Sequence, residues 1–434
     1  GQMTKSPNIL FFFPDQHRFD WIGSRPEIPV RTPHLDALAG RGVQFNNAIT
    51  PSPVCAPARA CLASGMEYAQ CGVPSNSYNY PLDGWTVYQS LCQAGYNVLG
   101  CGKFDLHKAT PSWGLDGKGS IDAWGFSDGI DNAGKWDAVR SGAEEPKDPY
   151  MNYLHQNSLV QTHLDDMYRR RGNKVATFAT DLPEEAYCDN WIAQNGIDLL
   201  DRCPDDQPWF LQINFTGPHD PWDVTHRMKA TYAETEFPSP LLSSRFSAED
   251  YNQVRQNYSA MVENIDRWLG VYVDLLQDRG QLENTLIVFS SDHGEMLGDH
   301  DRWGKSLPYQ SSIGVPLVVA GPEVGAGLVT DTLVSLIDLT ATFLDVADLQ
   351  GPSDMVGQSL KPVLSGQTEA HRQYVRSGLG DWRLVYDGRY KLIQNFEDQS
   401  WLFDLEDDPA ESQNLLAENP DLVEELQRFL GAHN

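Results

Sequence analysis

The sequence predicts an α/β fold, a sheet with helices on both faces over residues 1–365, followed by a small antiparallel α+β subdomain over 366–434. Three observations carry this. Short apolar, β-rich runs alternate with helical patterns through most of the length, as expected of a sheet covered on both sides. Each run is followed at once by polar residues, which marks strand ends that face a solvent-filled edge. Beyond the polar stretch Ser365–His371 the pattern changes to short alternating segments and one helix. A chain of 434 residues exceeds one ordinary core, so a large domain with an appendage is the natural division.

Taken in order, Pro7–Phe13 (PNILFFF) reads as a buried strand ending in Pro14-Asp15-Gln16. Thr32-Pro33 opens a short helix through Leu35, Leu38 and Ala39, closed by Gly42. Further core strands are expected at Tyr96–Gly100, Pro208–Phe215, Thr285–Ser290 and Val315–Ala320, with helices from about Glu184 to Cys203, Ala248 to Arg279 and Asp338 to Val346. The stretch from about Asp116 to Lys174 is rich in Gly, Asp, Trp and His and weakly periodic, so it reads as a long insertion over one end of the sheet that shapes a pocket. The tail contributes strands at Trp382–Tyr386, Tyr390–Gln394 and Ser400–Leu405 and a helix from about Leu422 to Leu430.

Sixty acidic residues against 32 basic ones give a net charge of −28, which opposes binding to nucleic acid or anionic lipid. An anionic substrate must therefore be held by a local cluster of cations or by a metal. The longest apolar run, Ile9–Phe13, is far short of the roughly 20 residues that cross a bilayer, so no membrane span is expected. Seven cysteines at irregular spacing suit free thiols in a reducing compartment, and a cytoplasmic location is the expectation.

The polar residues that follow the strands are Asp15-Gln16, Lys103 to His107, His219-Asp220 and Asp292-His293. Each alone also reads as a turn or helix cap. Together their carboxylate, amide and imidazole groups suit a divalent cation, with oxygen ligands pointing to calcium, magnesium or manganese. Cys55 stands two residues before Pro57, at the start of an expected helix whose positive end stabilises anions and thiolates. The same residue also reads as a buried structural thiol.

With these residues in place, the chain resembles the sulfatase family of the alkaline-phosphatase-like superfamily. Cys55-Ala56-Pro57-Ala58-Arg59 matches the family's C-x-P-x-R signature and Leu62-Ala63-Ser64-Gly65 its continuation. They are joined in order by PNILFFFPDQ, TPHLDALAGRGVQFNNA, CGKFDLHK, Gly217-Pro218-His219-Asp220-Pro221, SSDHGEMLGDHDRWGK and LFDLEDDPAESQNL, so the resemblance spans essentially the whole chain. It implies an alkaline-phosphatase-like α/β/α sandwich with a large mixed central sheet, and a bacterial-type sulfuric ester hydrolase. It further implies that a formylglycine-generating enzyme oxidises Cys55 to formylglycine. The hydrate of that aldehyde has one hydroxyl to attack sulfur and a second to expel sulfate. Asp15, Gln16, Asp292, His293 and the oxygen of residue 55 would hold the cation, most simply Ca2+, with Mn2+ or Mg2+ as alternatives. Arg59 and Lys103 would position the diol and the sulfate, Lys305 and His219 would bind the ester and protonate the leaving oxygen, and His107 would act as base for release.

The chain departs from the family pattern at three places. Gln16 stands where a second Asp is usual, His293 where many members have Asn, and the usual Lys-x-His has become Lys103-Phe104-Asp105-Leu106-His107. An Asp-Gln opening with an Asp-His pair also resembles choline-sulfatase-like and phosphonate-monoester-hydrolase-like members, so a phosphonate monoester or phosphodiester hydrolase is the nearest alternative activity. A non-catalytic protein that captures sulfated glycans is an alternative of another class. The expected substrate is a sulfated small molecule or oligosaccharide. Trp222 is the expected pocket wall and His300 and Arg302 expected substrate contacts, with Trp21, Asn132, Trp136 and His226 in loops that should face the site.

Overall fold

The computed structural model describes residues 6–431. Among them a mixed nine-stranded sheet is built from β1 (Asn8–Phe12), β2 (Val43–Ile49), β3 (Asn97–Gly102), β4 (Asp128–Asp131), β5 (Trp209–Asn214), β6 (Thr285–Phe289), β7 (Gly314–Ala320), β8 (Leu328–Thr330) and β9 (Val334–Ser335). The spatial order is β4-β3-β5-β1-β6-β7-β2-β8, with β9 also paired to β2. Strand β1 shows why this is a core. Its residues alternate between faces, so Ile9, Phe11 and Phe13 join one apolar cluster and Leu10 and Phe12 the other. The first cluster is covered by the helices Cys55–Ser64, Val87–Gln93 and Asp338–Val346, the second by Pro33–Gly40, Cys188–Arg202 and the long helix Ala248–Asp278.

This topology assembles the site. Strands β3, β5, β1 and β6 are neighbours and mutually parallel, so their carboxyl ends lie along one edge. Strand β2 runs antiparallel to β7, which runs antiparallel to β6, and this brings the end of β2 to the same edge. The segments after β1, β2, β3, β5 and β6 carry Asp15-Gln16, Cys55, Lys103, His219-Asp220 and Asp292-His293. That edge is where open α/β sheets place ligands.

The end of β3, where Gly102 leads into Lys103, is tightly constrained. Gly102 has φ +94°, and a Cβ there would lie 1.9 Å from the Asn214 carbonyl oxygen of neighbouring β5. Gly102→Ala is therefore expected to destabilise the fold by about 2–4 kcal/mol through strain and steric conflict. A urea-unfolding midpoint equal to that of the parent would contradict this.

The remaining differences from the expected elements have physical causes. Strand β2 escaped detection because Asn46-Asn47 interrupt its apolar pattern, at the point where its register with β7 shifts between Phe45 and Ala48. The expected insertion is more ordered than its composition suggested. It contributes edge strand β4 and the helices Lys135–Gly142, Pro149–Gln156 and Val160–Arg170, packed around Met151, Leu154 and Met167. The tail forms a four-stranded antiparallel sheet, β10 (Val375–Leu379), β11 (Trp382–Tyr386), β12 (Tyr390–Phe396) and β13 (Gln399–Asp404), rather than three strands. It is followed by the helix Pro420–Gly431. This subdomain braces the segment that bears Lys305. The fully buried Lys391 donates 2.7 Å to the Pro308 carbonyl and pairs at 2.7 Å with Glu411, whose other oxygen accepts from the Gln310 amide. No helix among the described residues is long and apolar enough to cross a membrane.

Candidate active site

Cys55 begins a helix, Cys55–Ser64, whose ten residues are all buried, which the small Ala56, Ala58, Ala60 and Ala63 permit. Pro57 fits its first turn, where no backbone donor is needed, and Gly65 ends it with φ +71°. The Ala56 amide, free at the helix start, donates 2.9 Å to Asn76 Oδ1. The thiol of Cys55 is thus delivered to the sheet edge in a fixed position.

Four possible ligand groups, Asp15, Cys55, Asp292 and His293, have donor atoms within 4.8 Å of one another, all buried. Cys55 Sγ lies 3.4 Å from His293 Nε2 and 3.8 Å from Asp15 Oδ1. His293 Nδ1 donates 2.9 Å to the Gly294 carbonyl, which turns Nε2 into the cluster. Two carboxylates and a sulfur this close need positive charge between or beside them. Burial disfavours a proton on His293, yet Asp292 and Cys55 outweigh it and raise its affinity for one. The same point suits a divalent ion, which the two carboxylates, the residue 55 side chain and the imidazole are placed to hold.

Two buried cations complete the cluster. Arg59 donates to Asp15 Oδ2 and Asp292 Oδ2, each at 3.2 Å, and to the Lys103 carbonyl at 2.6 Å. Lys103 Nζ lies 2.7 Å from Asp15 Oδ2 and 3.5 Å from Cys55 Sγ. Burial and Asp15 push the Cys55 thiol up, but Lys103, Lys305 and His293 more than offset them and hold it well below the usual thiol range. For Asp15, burial is likewise outweighed by Lys103, His219, Arg59 and His293, so it stays ionised.

Gln16 goes elsewhere than expected. Its backbone turns at φ +69°, with its amide donating 3.0 Å to Asp292 Oδ1. The side chain therefore diverges from that of Asp15. Its NH2 donates to Glu295 at 2.7 Å and Asp220 at 3.2 Å, and its Oε1 accepts from Lys305 Nζ at 2.8 Å. In this structure the Gln16 side chain, expected as a metal ligand, meets Lys305, Glu295 and Asp220 instead of pointing its oxygen at Cys55 or Asp292. Glu295, fully buried, fixes that amide and also accepts from the amides of Leu297 and Gly304. It lies three residues beyond Asp292 inside a motif already singled out, but no spacing rule marked it.

Lys305 Nζ also donates 2.8 Å to His219 Nε2. His219 Nδ1 faces the Asp220 carbonyl and lies 3.2 Å from Asp220 Oδ1, so Nε2 keeps its lone pair toward Lys305. The backbone of this turn is held by Lys135, whose ammonium donates 2.6 Å to the His219 carbonyl, and by Asp189, which accepts from the amides of Thr216 and Gly217.

Three further expected site residues have partners or neighbours outside the cluster. His107 is half-buried against Trp124, and its Nδ1 has no partner, with no hydrogen bond among the described residues linking it to the cluster. Asp105, at the Lys-x-His position, is instead buried with Oδ2 3.4 Å from Lys103 Nζ, in a strained backbone at φ +54°. His300 stacks on Tyr309 at 4.0 Å and bonds the Ala410 carbonyl, and Arg302 pairs with Glu397 at 2.7 Å, so both serve the contact with the C-terminal subdomain. Trp222 and Trp136 do line a cleft, described below, that reaches Asp220 and Gly304 beside Lys305. Trp21 is fully buried and bonded to Ser259, Asn132 is buried with its amide on the Ala133 carbonyl, and His226 pairs with Asp181 at the surface.

A mixed sheet whose carboxyl edge gathers buried carboxylates, an imidazole, two cations and a buried thiol defines an ester hydrolase of the alkaline-phosphatase-like fold. The comparisons specify the class further. Residues 7–349 match the family model described as Sulfatase, and residues 298–432 match one described as N-sulphoglucosamine sulphohydrolase, C-terminal. The chain belongs to the sulfatase family and is a sulfuric ester hydrolase. Among its relatives are an arylsulfatase of Clostridium perfringens, 27% identical over 98% of this chain and 93% of that protein, and an N-acetylglucosamine-6-O-sulfatase of Bacteroides thetaiotaomicron, 27% identical over 98% and 86%. A phosphonate monoester hydrolase of Agrobacterium radiobacter shares the fold, with a TM-score of 0.82 and 22% identity over 98% of this chain and 95% of that one.

Proposed function

We propose that the protein releases inorganic sulfate from a sulfated carbohydrate, with residue 55 as covalent nucleophile. The observation that carries this is the position of Cys55 Sγ, 3.4 Å from His293 Nε2 and 3.5 Å from Lys103 Nζ at a helix start. The C-x-P-x-R context supports maturation of Cys55 by a formylglycine-generating enzyme, which supplies a hydrated aldehyde with one hydroxyl for attack and one for release. Asp15, residue 55, Asp292 and His293 would hold a divalent cation, most simply Ca2+, that withdraws charge from the sulfate oxygens. The sulfated N-acetylglucosamine class handled by the Bacteroides relative motivates the carbohydrate half of the proposal.

The chain's own residues divide the work. Arg59 clamps Asp15 and Asp292 so that both carboxylates face residue 55. Lys103, beside Cys55 Sγ, balances negative charge that grows on the transferred group. Lys305 and His219, hydrogen-bonded at 2.8 Å, would serve the departing ester oxygen, and Gln16, held by Glu295 and Asp220, aims Lys305. For the proton removed during release we assign Asp105 in place of His107, since Asp105 touches Lys103 and His107 does not. Asp105→Asn is expected to lower kcat by about 10²-fold or more, the usual worth of a general base, while His107→Gln changes it little. The reverse order in steady-state assays would return the role to His107.

The test is turnover of para-nitrophenyl sulfate, sulfated N-acetylglucosamine and a para-nitrophenyl phosphonate by one preparation, before and after chelation. Sulfate esters are expected to be preferred and the activity to vanish with chelator and return with Ca2+ or Mn2+. A large excess of phosphonate turnover would overturn the sulfatase reading, because tetrahedral sulfuryl and phosphonyl esters fit the same geometry.

A further inference from the structure

A cleft of about 270 Å3 opens beside Lys305, small for the usual ligand site of about 300–1,000 Å3. It reaches Asp220, Glu295 and Gly304 at its inner end. Its walls are Trp136, Trp222 and Trp303, the last two with ring centroids 6.0 Å apart. Its outer rim is basic, with Arg140, Arg171 and Lys174 all exposed. These residues come from the helices and turn of the 116–174 insertion.

Arg140 is engaged by Asp137 at 2.6 Å, and the fully buried Arg170 donates from Nε and Nη2 to the two oxygens of Asp166, at 2.8 and 2.9 Å. Glu295 and Asp220 are occupied by Gln16, with Asp220 also facing His219. That leaves Arg171 and Lys174, for which no carboxylate lies within 4.0 Å among the described residues. Arg171 rests over the Tyr168 ring, and the Lys174 carbonyl accepts 2.8 Å from Trp222 Nε1, which ties this turn to the aromatic wall. Burial raises the Asp220 carboxyl, but His219, Lys305, Gln16 and then Lys174 lower it further, so the Lys174 charge is felt at the inner end. In a chain of net charge −28, two cations on one rim with no carboxylate partner within 4.0 Å favour an anion there.

We propose that the alcohol half of the substrate carries a second anionic group, a sulfate or a carboxylate, held by Arg171 and Lys174 while Trp136, Trp222 and Trp303 wall its ring. This rests on the sulfatase reading of the catalytic site and narrows its substrate class. It also disfavours choline sulfate. Aromatic walls alone would suit a quaternary ammonium, but here that cation would meet two others.

The experiment compares kcat/KM of the metal-loaded, matured enzyme and its Arg171→Gln, Lys174→Gln and double variants. The substrates are para-nitrophenyl sulfate, choline sulfate, a disulfated glucosamine and a sulfated disaccharide bearing a uronate. The double variant is expected to lose about tenfold or more on at least one anion-bearing sugar, through KM, equivalent to about 1.4 kcal/mol. Its para-nitrophenyl sulfate turnover should stay within about twofold of the parent. Whichever sugar responds identifies the second anion as sulfate or carboxylate. Unchanged kcat/KM on both sugars, an equal loss on every substrate, or a parent preference for choline sulfate would overturn the inference while leaving the sulfatase reading intact. A parent enzyme inert toward para-nitrophenyl sulfate and both sugars would overturn both.

Discussion

Cys55→Ala is expected to leave a folded protein with no measurable turnover of any sulfate ester, a loss on the order of a millionfold, as for removal of a covalent nucleophile. The side chain is small and sits on a helix capped at both ends, so alanine removes the sulfur without disturbing its support. Cys55→Ser separates attack from release. A serine hydroxyl can accept the sulfuryl group but has no second hydroxyl with which to expel it, so at most one equivalent of alcohol should appear per chain. Steady turnover by either variant at the parental rate would contradict the assignment. The far-ultraviolet spectrum and thermal midpoint check that both variants are folded.

The second large effect is expected at the Lys305–His219 pair. Lys305→Ala and His219→Ala should each lower kcat on a sulfated sugar by about 10²–10⁴-fold, the range for loss of a positioned general acid. Because the two act through one hydrogen bond of 2.8 Å, the double variant should be scarcely worse than either single one. Both losses should shrink on para-nitrophenyl sulfate, whose phenolate leaves without needing a proton. Equal losses on both substrates would show that the pair binds sulfate rather than protonating the leaving group.

Much of the architecture could be read in advance because the sheet's parallel strands are buried on both faces, and such strands appear as unbroken apolar runs. The run Ile9–Phe13 and the one before Ser290 are of this kind, and each ends where a candidate ligand pair begins. The edge strand β4 (Asp128–Asp131) and the bulged β2 lack that signature, since half-buried or interrupted strands mix polar residues into the pattern. In the site, residues directly after strands were legible, because the strand fixes where they emerge. What escaped depended on backbone direction or on partners distant in sequence. The left-handed turn at Gln16 sends its side chain away from that of Asp15. His300 and Arg302 stand only a few residues before Lys305, yet Ala410 and Glu397 from the C-terminal subdomain draw them off the cleft. Glu295 acts through hydrogen bonds to Gln16 and Gly304 that no local spacing encodes.

The central claim is that turnover belongs to a chemically altered residue 55 in this pocket. It is tested most directly by measuring, across preparations made with different amounts of the maturation enzyme, the mass of the peptide containing residue 55 alongside sulfate release. Formylglycine makes that peptide about 18 Da lighter than its thiol form. The account predicts that specific activity rises in proportion to the converted fraction and extrapolates to zero at none. Full activity in a preparation whose residue 55 is entirely cysteine would contradict it.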